Sequence, residues 1–274
     1  MYRIFAIFSI SLLLFVSCRD NDRTKYGYVR MIFEHHWEDS IVRFDGTTQY
    51  INAAGNILTF EKSRPIEYFI SDLKINTVSL PAGNNLNIHY INSDSAYSTF
   101  LFTHRIPKRN FNTISFTFGI DSTKNKSNLF SNPPQKDMFW PENMGGGYHH
   151  MKMDGKWRNA GGITDQGFGL HLGDLKKTVY DTTWTQSVVS GLDSISKIDT
   201  VVRTFRNSFP VSISKHFEIR ENEITTITVI MDMKQWMENP YMWDFNVMGG
   251  AIMSRERAMD SLKINGEHNL FRAK

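Results

Sequence analysis

The chain has 274 residues, of which 41% are hydrophobic, 13% aromatic and 22% charged. That apolar fraction excludes a disordered chain, and the length fits one large domain or two small ones. The formal charge of +3 gives no reason to expect nucleic acid, and one cysteine excludes both an internal disulfide and a metal site built from several thiolates.

The N-terminus reads as an export signal. Arg3 precedes an apolar stretch, Ile4 to Val16, interrupted only by serines, which is too short to span a bilayer comfortably. It ends in Leu14-Phe15-Val16-Ser17-Cys18. A small residue directly before a cysteine resembles the bacterial lipobox. Residues 1–17 are therefore expected to be a lipoprotein signal peptide, with Cys18 carrying the lipid and 18–27 forming a tether. Residues 28–274 are expected to fold as one domain. The chain would sit in the cell envelope as an outer-membrane lipoprotein, facing the periplasm or the cell surface and meeting the membrane through its lipid alone.

The rest reads as mostly β. Val29–Trp37 alternates, placing Val29, Met31, Phe33, His35 and Trp37 on one face and Glu34 and His36 on the other. Further predicted strands are Ile66–Ile70, Thr77–Leu80, Leu86–Ile91, Thr113–Gly119, Tyr148–Met153, Phe168–Leu172, Val211–Ile219 and Ile224–Met233. Turn residues separate them, as at Asp45-Gly46 and Asp154-Gly155. Two short helices are expected near the C-terminus. One is Lys234–Glu238; the other is Arg255–Ile264, capped by Ser254 and ended by Gly266. Ser122–Lys136 and Thr185–Thr200 read as loops. The pattern predicts an immunoglobulin-like antiparallel β-sandwich.

No enzyme template appears. The chain lacks Gly-x-Ser-x-Gly, His-Glu-x-x-His and Cys-x-x-Cys-His, and Gly145-Gly146-Gly147 leads into a strand rather than a helix, so it is no phosphate cradle. The 9 histidines and 13 methionines are more informative, because imidazole and thioether are the donors left to a chain without free thiolates. His35 lies on the apolar face of its strand, either as an orientable ligand or as a satisfied core residue; His36 is expected in solvent. His171 is flanked by Gly169 and Gly173, which leave room for a ligand or for another strand. His149, Met151 and Met153 alternate onto one face that suits Cu(I) or core packing.

The stretch Met138-Phe139-Trp140-Pro141-Glu142-Asn143-Met144-Gly145-Gly146-Gly147-Tyr148-His149-His150-Met151-Lys152-Met153-Asp154-Gly155 resembles the signature of the MbnP-like family. Phe33-Glu34-His35 is similar to the family's Phe-x-His, and His171-Leu172-Gly173 to its His-Leu-Gly. Ser115–Asp121 is similar to its central strand. The resemblance implies a β-sandwich with a single copper ion held by two histidines, here His35 and His171. It also implies that a tryptophan can be oxidised to kynurenine by a di-haem partner related to MauG and the cytochrome c peroxidases. Trp37 and Trp140 are the tryptophans near the motifs. Where family members carry a second tryptophan this chain has Glu142 and Asn143, leaving Met144 and His149 as local substitutes.

The expected function is copper acquisition or handling in the cell envelope by a protein that is not itself an enzyme. The alternative is a non-metal sandwich lipoprotein that binds a glycan or a protein.

Overall fold

The computed structural model describes residues 24–82, 86–93, 98–186 and 193–274. The expected signal peptide, Cys18 and most of the tether lie outside the described residues. In chain order the strands are β1 (Tyr26–Trp37), β2 (Ser40–Ile41), β3 (Tyr50–Ile51), β4 (Ile57–Thr59), β5 (Glu67–Ile75), β6 (Val78–Ser79), β7 (Ile88–Asn92), β8 (Thr99–Pro107), β9 (Arg109–Phe118), β10 (Met151–Arg158), β11 (Gln166–Leu172), β12 (Leu175–Gln186), β13 (Asp193–Phe205), β14 (Phe209–Ile219), β15 (Ile224–Asp232) and β16 (Phe271–Ala273). Two α-helices, α1 (Phe245–Met248) and α2 (Glu256–Glu267), lie near the C-terminus. Among the described residues no helix is long and apolar enough to cross a membrane.

The strands form a sandwich of two main sheets. The smaller has 5 strands, in the order β16-β15-β1-β2 with β8 also on β1; the larger has 9, in the order β14-β9-β5-β10-β4-β3 with β11 on β10 and β6 and β7 on β5. β12 and β13 make a separate two-stranded ribbon. The pairings are antiparallel except that of β1 with β15, which is parallel.

Period-two alternation explains the core. Val29, Met31, Phe33 and His35 point inward from β1 and are all buried. They meet aromatic rings of the larger sheet: Phe33 is edge-on to Phe116 at 6.2 Å, and Tyr68 stacks on Phe118 at 5.6 Å. Each such large side chain contributes about 1.5–3 kcal/mol on burial. A second cluster, Phe69, Ile88, Tyr90, Ile120, Met138 and Tyr148, covers the outer face of the larger sheet. The loop after β9 supplies half of it, with Phe130 stacked on Phe69 at 5.4 Å. This loop builds the candidate site.

Several expectations change. β10 begins at Met151, not Tyr148. The described part of Thr185–Thr200 is strand rather than loop, and residues 187–192 lie outside the described residues. Lys234–Glu238 contains a single 3-10 turn, Gln235–Met237. α2 has Arg255 at its N-cap with no side-chain cap, and it runs through Gly266. Gly266 is there for packing, since a Cβ would fall 2.5 Å from Trp236. His36 is buried, not solvated: its Nε2 lies 2.9 Å from the Glu34 carboxylate, and the chain leaving β15 stays beside it, Met233 donating its N–H to the His36 carbonyl.

Candidate metal centre

Three consecutive glycines, Gly145 to Gly147, all adopt positive φ, at 148°, 69° and 81°. A side chain is strained in such conformations, and glycine is not. They reverse the chain so that Gly147–His149 runs back along Met138–Trp140. The Trp140 N–H donates to the Gly147 carbonyl, and the His149 N–H donates to the Met138 carbonyl at 2.7 Å. Outside the turn, Gly147 N–H is received by Ser127 Oγ and Tyr148 N–H by Asn125 Oδ1. The turn delays β10, and the delay re-aims His149. Met151 and Met153 enter the core as the alternation requires, but His149 no longer shares their face.

The His149 ring instead meets His171, edge to face with centroids 5.3 Å apart. Register fixes where this happens. Tyr68, Met151 and Leu172 are paired across β5, β10 and β11 and point into the core; Glu67, Lys152 and His171 are paired one position along and point outward. The pair therefore lies on the outer face of the larger sheet, on its edge strand β11. Trp140 completes the cluster. Its ring is edge-on to His149 at 4.7 Å, fully buried, in a slot that exists because residue 173 is glycine.

The two imidazoles differ. His149 Nδ1 lies 3.0 Å from the Met138 carbonyl, which can only accept, so the proton sits on Nδ1 and Nε2 keeps its lone pair. That Nε2 is buried and has no partner. Burial, with the charges of His171, Lys152 and His150 adding to it, holds His149 down to about 3, so it is neutral near pH 7. His171 is about one-fifth exposed, and its Nε2 lies 3.2 Å from each Asp154 oxygen. Its Nδ1 forms no hydrogen bond among the described residues. Burial opposes the charge on Asp154, yet the His171 hydrogen bond, with Arg64 and Lys152 nearby, keeps its carboxyl below the usual range. A carboxylate on one imidazole nitrogen is the arrangement that fixes tautomer and ring orientation in metal-binding histidines.

The donor set fits a metal that accepts few ligands. Two imidazoles on one ion, with nitrogens about 2 Å away, put their ring centroids roughly 5–6 Å apart. The orphaned His149 Nε2 is the atom such an ion would satisfy. Among the described residues no group of three or more His, Cys, Asp and Glu is arranged around a common point.

His35 is elsewhere. It faces the core between the sheets, edge-on to Tyr68 at 5.6 Å and in register with Met231. Its Nε2 and the Tyr68 hydroxyl are both buried without partners. Burial, aided by His36, lowers His35 to about 3. His35 and His171, the pair expected from the resemblance, thus lie on opposite faces of the larger sheet, because Tyr68 and His171 are one register position out of phase. Trp37 packs near His35, against Tyr50 at 5.3 Å. Met144 is partly buried against the main core. The His149–His171 pairing was hidden from sequence because strand alternation was extended through residues that are not strand; the glycine triplet was the available signal.

A family model described as MbnP matches residues 26–254. Among solved structures, MbnP from Methylosinus trichosporium is similar to this chain at 14% identity, covering 77% of each chain with a TM-score of 0.46. No curated protein matches.

Proposed function

The chain belongs to the MbnP family, and on that premise we propose that it is a cell-envelope lipoprotein that binds one copper ion between His149 and His171. The observation that carries this reading is the buried, neutral, unpartnered His149 Nε2 beside an imidazole already oriented by a carboxylate. Neutral imidazoles and few other donors suit copper, and Cu(I) in particular tolerates two or three ligands. His149 would bind through Nε2 and His171 through Nδ1. Copper is the cargo, and the chain's own residues bind it, keep its donors dry and exclude competing protons.

Cys18 would be the anchor, as the signal pattern implies. Of the two tryptophans near the motifs, Trp140 is the one against the imidazole pair, so it is the one a di-haem oxidase would modify. Intact mass of the native protein, read for the gain of oxygen and loss of carbon that kynurenine brings, tests that part.

Copper titration of the metal-free protein tests the site. His149→Ala and His171→Ala should each abolish stoichiometric binding, while His35→Gln should leave it intact. Loss of binding in His35→Gln with retention in His149→Ala would return the site to the core. Retention in the His149→Ala/His171→Ala double variant would sink copper binding at this pair, and absence of stoichiometric binding in the wild type would favour the non-metal reading.

A further inference from the structure

Each imidazole of the pair is carried on a different segment, and backbone bonds of the glycine turn fix only one of them. The β10–β11 ladder ends at Met151 and Leu172, and beyond it a buried contact between their neighbours ties one segment to the other. His150 follows His149, and Asp174 lies three residues past His171. His150 Nε2 and Asp174 Oδ1 are 2.9 Å apart, with side chains 0% and 4% exposed. The His150 N–H also donates to the Leu172 carbonyl at 2.6 Å.

The contact is directional. Ile120 N–H donates to His150 Nδ1 at 3.3 Å, which leaves the ring proton on Nε2, pointed at Asp174. Gly119 makes room for that ring, because a Cβ there would fall 2.5 Å from Nδ1. The Asp174 oxygen that faces His150, Oδ1, is fixed by Asn207 N–H at 3.1 Å, and Asn207 Nδ2 donates to the Gly173 carbonyl; Arg206 reaches only the other oxygen, Oδ2, at 2.9 Å. Among the described residues, none of these hydrogen bonds is made to the side chain of His149 or His171.

We propose that Asp174 is a positioning residue for the imidazole pair: through His150 it latches the segment bearing His149 to the strand end bearing His171. The inference rests on the copper reading of that pair for its consequence, but the latch itself belongs to the metal-free protein. Removing a carboxylate bonded directly to a ligand typically weakens metal affinity about 10–100-fold; Asp174 acts one side chain further back, through His150, so the loss expected lies at the low end of that range.

The test compares Asp174→Asn with Arg206→Ala. Arg206 bonds the other oxygen of the same carboxylate from the solvent side, its side chain 51% exposed, and among the described residues it makes no hydrogen bond to His150. Copper titration and the Cu(II) electron paramagnetic resonance spectrum are read on each, with the imidazole nitrogen chemical shifts of His149 and His171 in the metal-free protein. Asp174→Asn should weaken copper binding about 10-fold, change the spectrum and move the His149 shifts; Arg206→Ala should leave all three unchanged. Wild-type affinity and shifts in Asp174→Asn would overturn the proposal. Equal losses in both variants would also overturn it, since they would show a structural role only. Should Asp174→Asn fail to fold, His150→Gln decides by the same readouts, and an unchanged affinity and spectrum there overturns the latch. If the pair proves not to bind copper, the metal-free His149 shifts still judge the latch alone.

Discussion

Lowering the pH from about 7.5 to 5 should remove a large share of the stability of the metal-free protein, and three buried histidines set the amount. His35 and His149 are held down to about 3 and His89 to about 4, chiefly by burial. The unfolded chain releases all three to about 6.5. A histidine with a depressed folded pKa binds its proton preferentially in the unfolded state. Its contribution is therefore complete above pH 6.5 and is lost as pH falls from 6.5 toward 3–4. At pH 5 each costs about 2 kcal/mol, so the three together remove about 6 kcal/mol, with a slope near 4 kcal/mol per pH unit. The figure depends little on the folded values, because pH 5 lies above all three. Domains are typically stable by about 5–15 kcal/mol, so the loss is easily measured. Denaturant unfolding followed by tryptophan fluorescence is the assay. Carboxylates such as Asp174, held well below their usual range, lose their contribution only below about pH 4 and do not confuse the window. His35→Gln should cut the slope by about one third. An unfolding free energy that is flat across the window would refute the burial of these imidazoles as neutral bases.

Gly173→Ala places a Cβ at or under 2.7 Å from three carbons of the fully buried Trp140 ring, so it should cost about 1–3 kcal/mol and shift the Trp140 emission; a neutral change would mean the indole is not in that slot. Tyr68→Phe removes a buried hydroxyl that has no partner, so thermal unfolding should show it neutral or stabilised by up to about 1 kcal/mol; a clear loss would reveal a bond to that oxygen. Asp154→Asn should weaken copper binding about 10-fold with little change in melting temperature, and an unchanged affinity would mean that His171 does not bind from its other nitrogen.

Much of the fold was legible because period-two patterning is a direct imprint of a sheet buried on one face. β1, β5, β9, β11, β14 and β15 all lie within a few residues of their predicted spans. What the pattern could not carry was pairing. The β1–β15 contact is parallel, and nothing in either strand announces its direction. β12 and β13 were missed because they pair only with each other, and beyond Leu175 and Phe205 their described positions are mostly exposed, with no buried face to alternate. His36 was misjudged for a related reason: alternation gives the side of the sheet, not what covers it. At the site, His171 and His149 were both singled out, yet the phase of His149 was wrong. Alternation assigns faces only while the backbone is extended, and the bend that ends at His150 lies in a stretch whose composition still reads as strand.

His35 and His149 are nearly alike as bases: both are buried, both are neutral near pH 7, and both keep a bare Nε2. On the proposed copper reading, donor strength therefore does not choose between them as a ligand, and access does. His35 lies between the sheets against Tyr68, with Met231 in register beside it, so an ion could reach it only by parting the packed inner faces of the sandwich. His149 lies under a loop on the outer face, against a histidine that is one-fifth exposed on an edge strand. Among the described residues the backbone bridge on its free side runs from Gly169 to Ala251. An ion arriving there meets His171 first and then the drier nitrogen of His149. Loading it disturbs a loop and a sheet edge rather than the packed interface between the two sheets. A protein that carried copper as cargo, as proposed, would need the metal to enter and leave without unfolding. The edge of the larger sheet meets that need and the core does not.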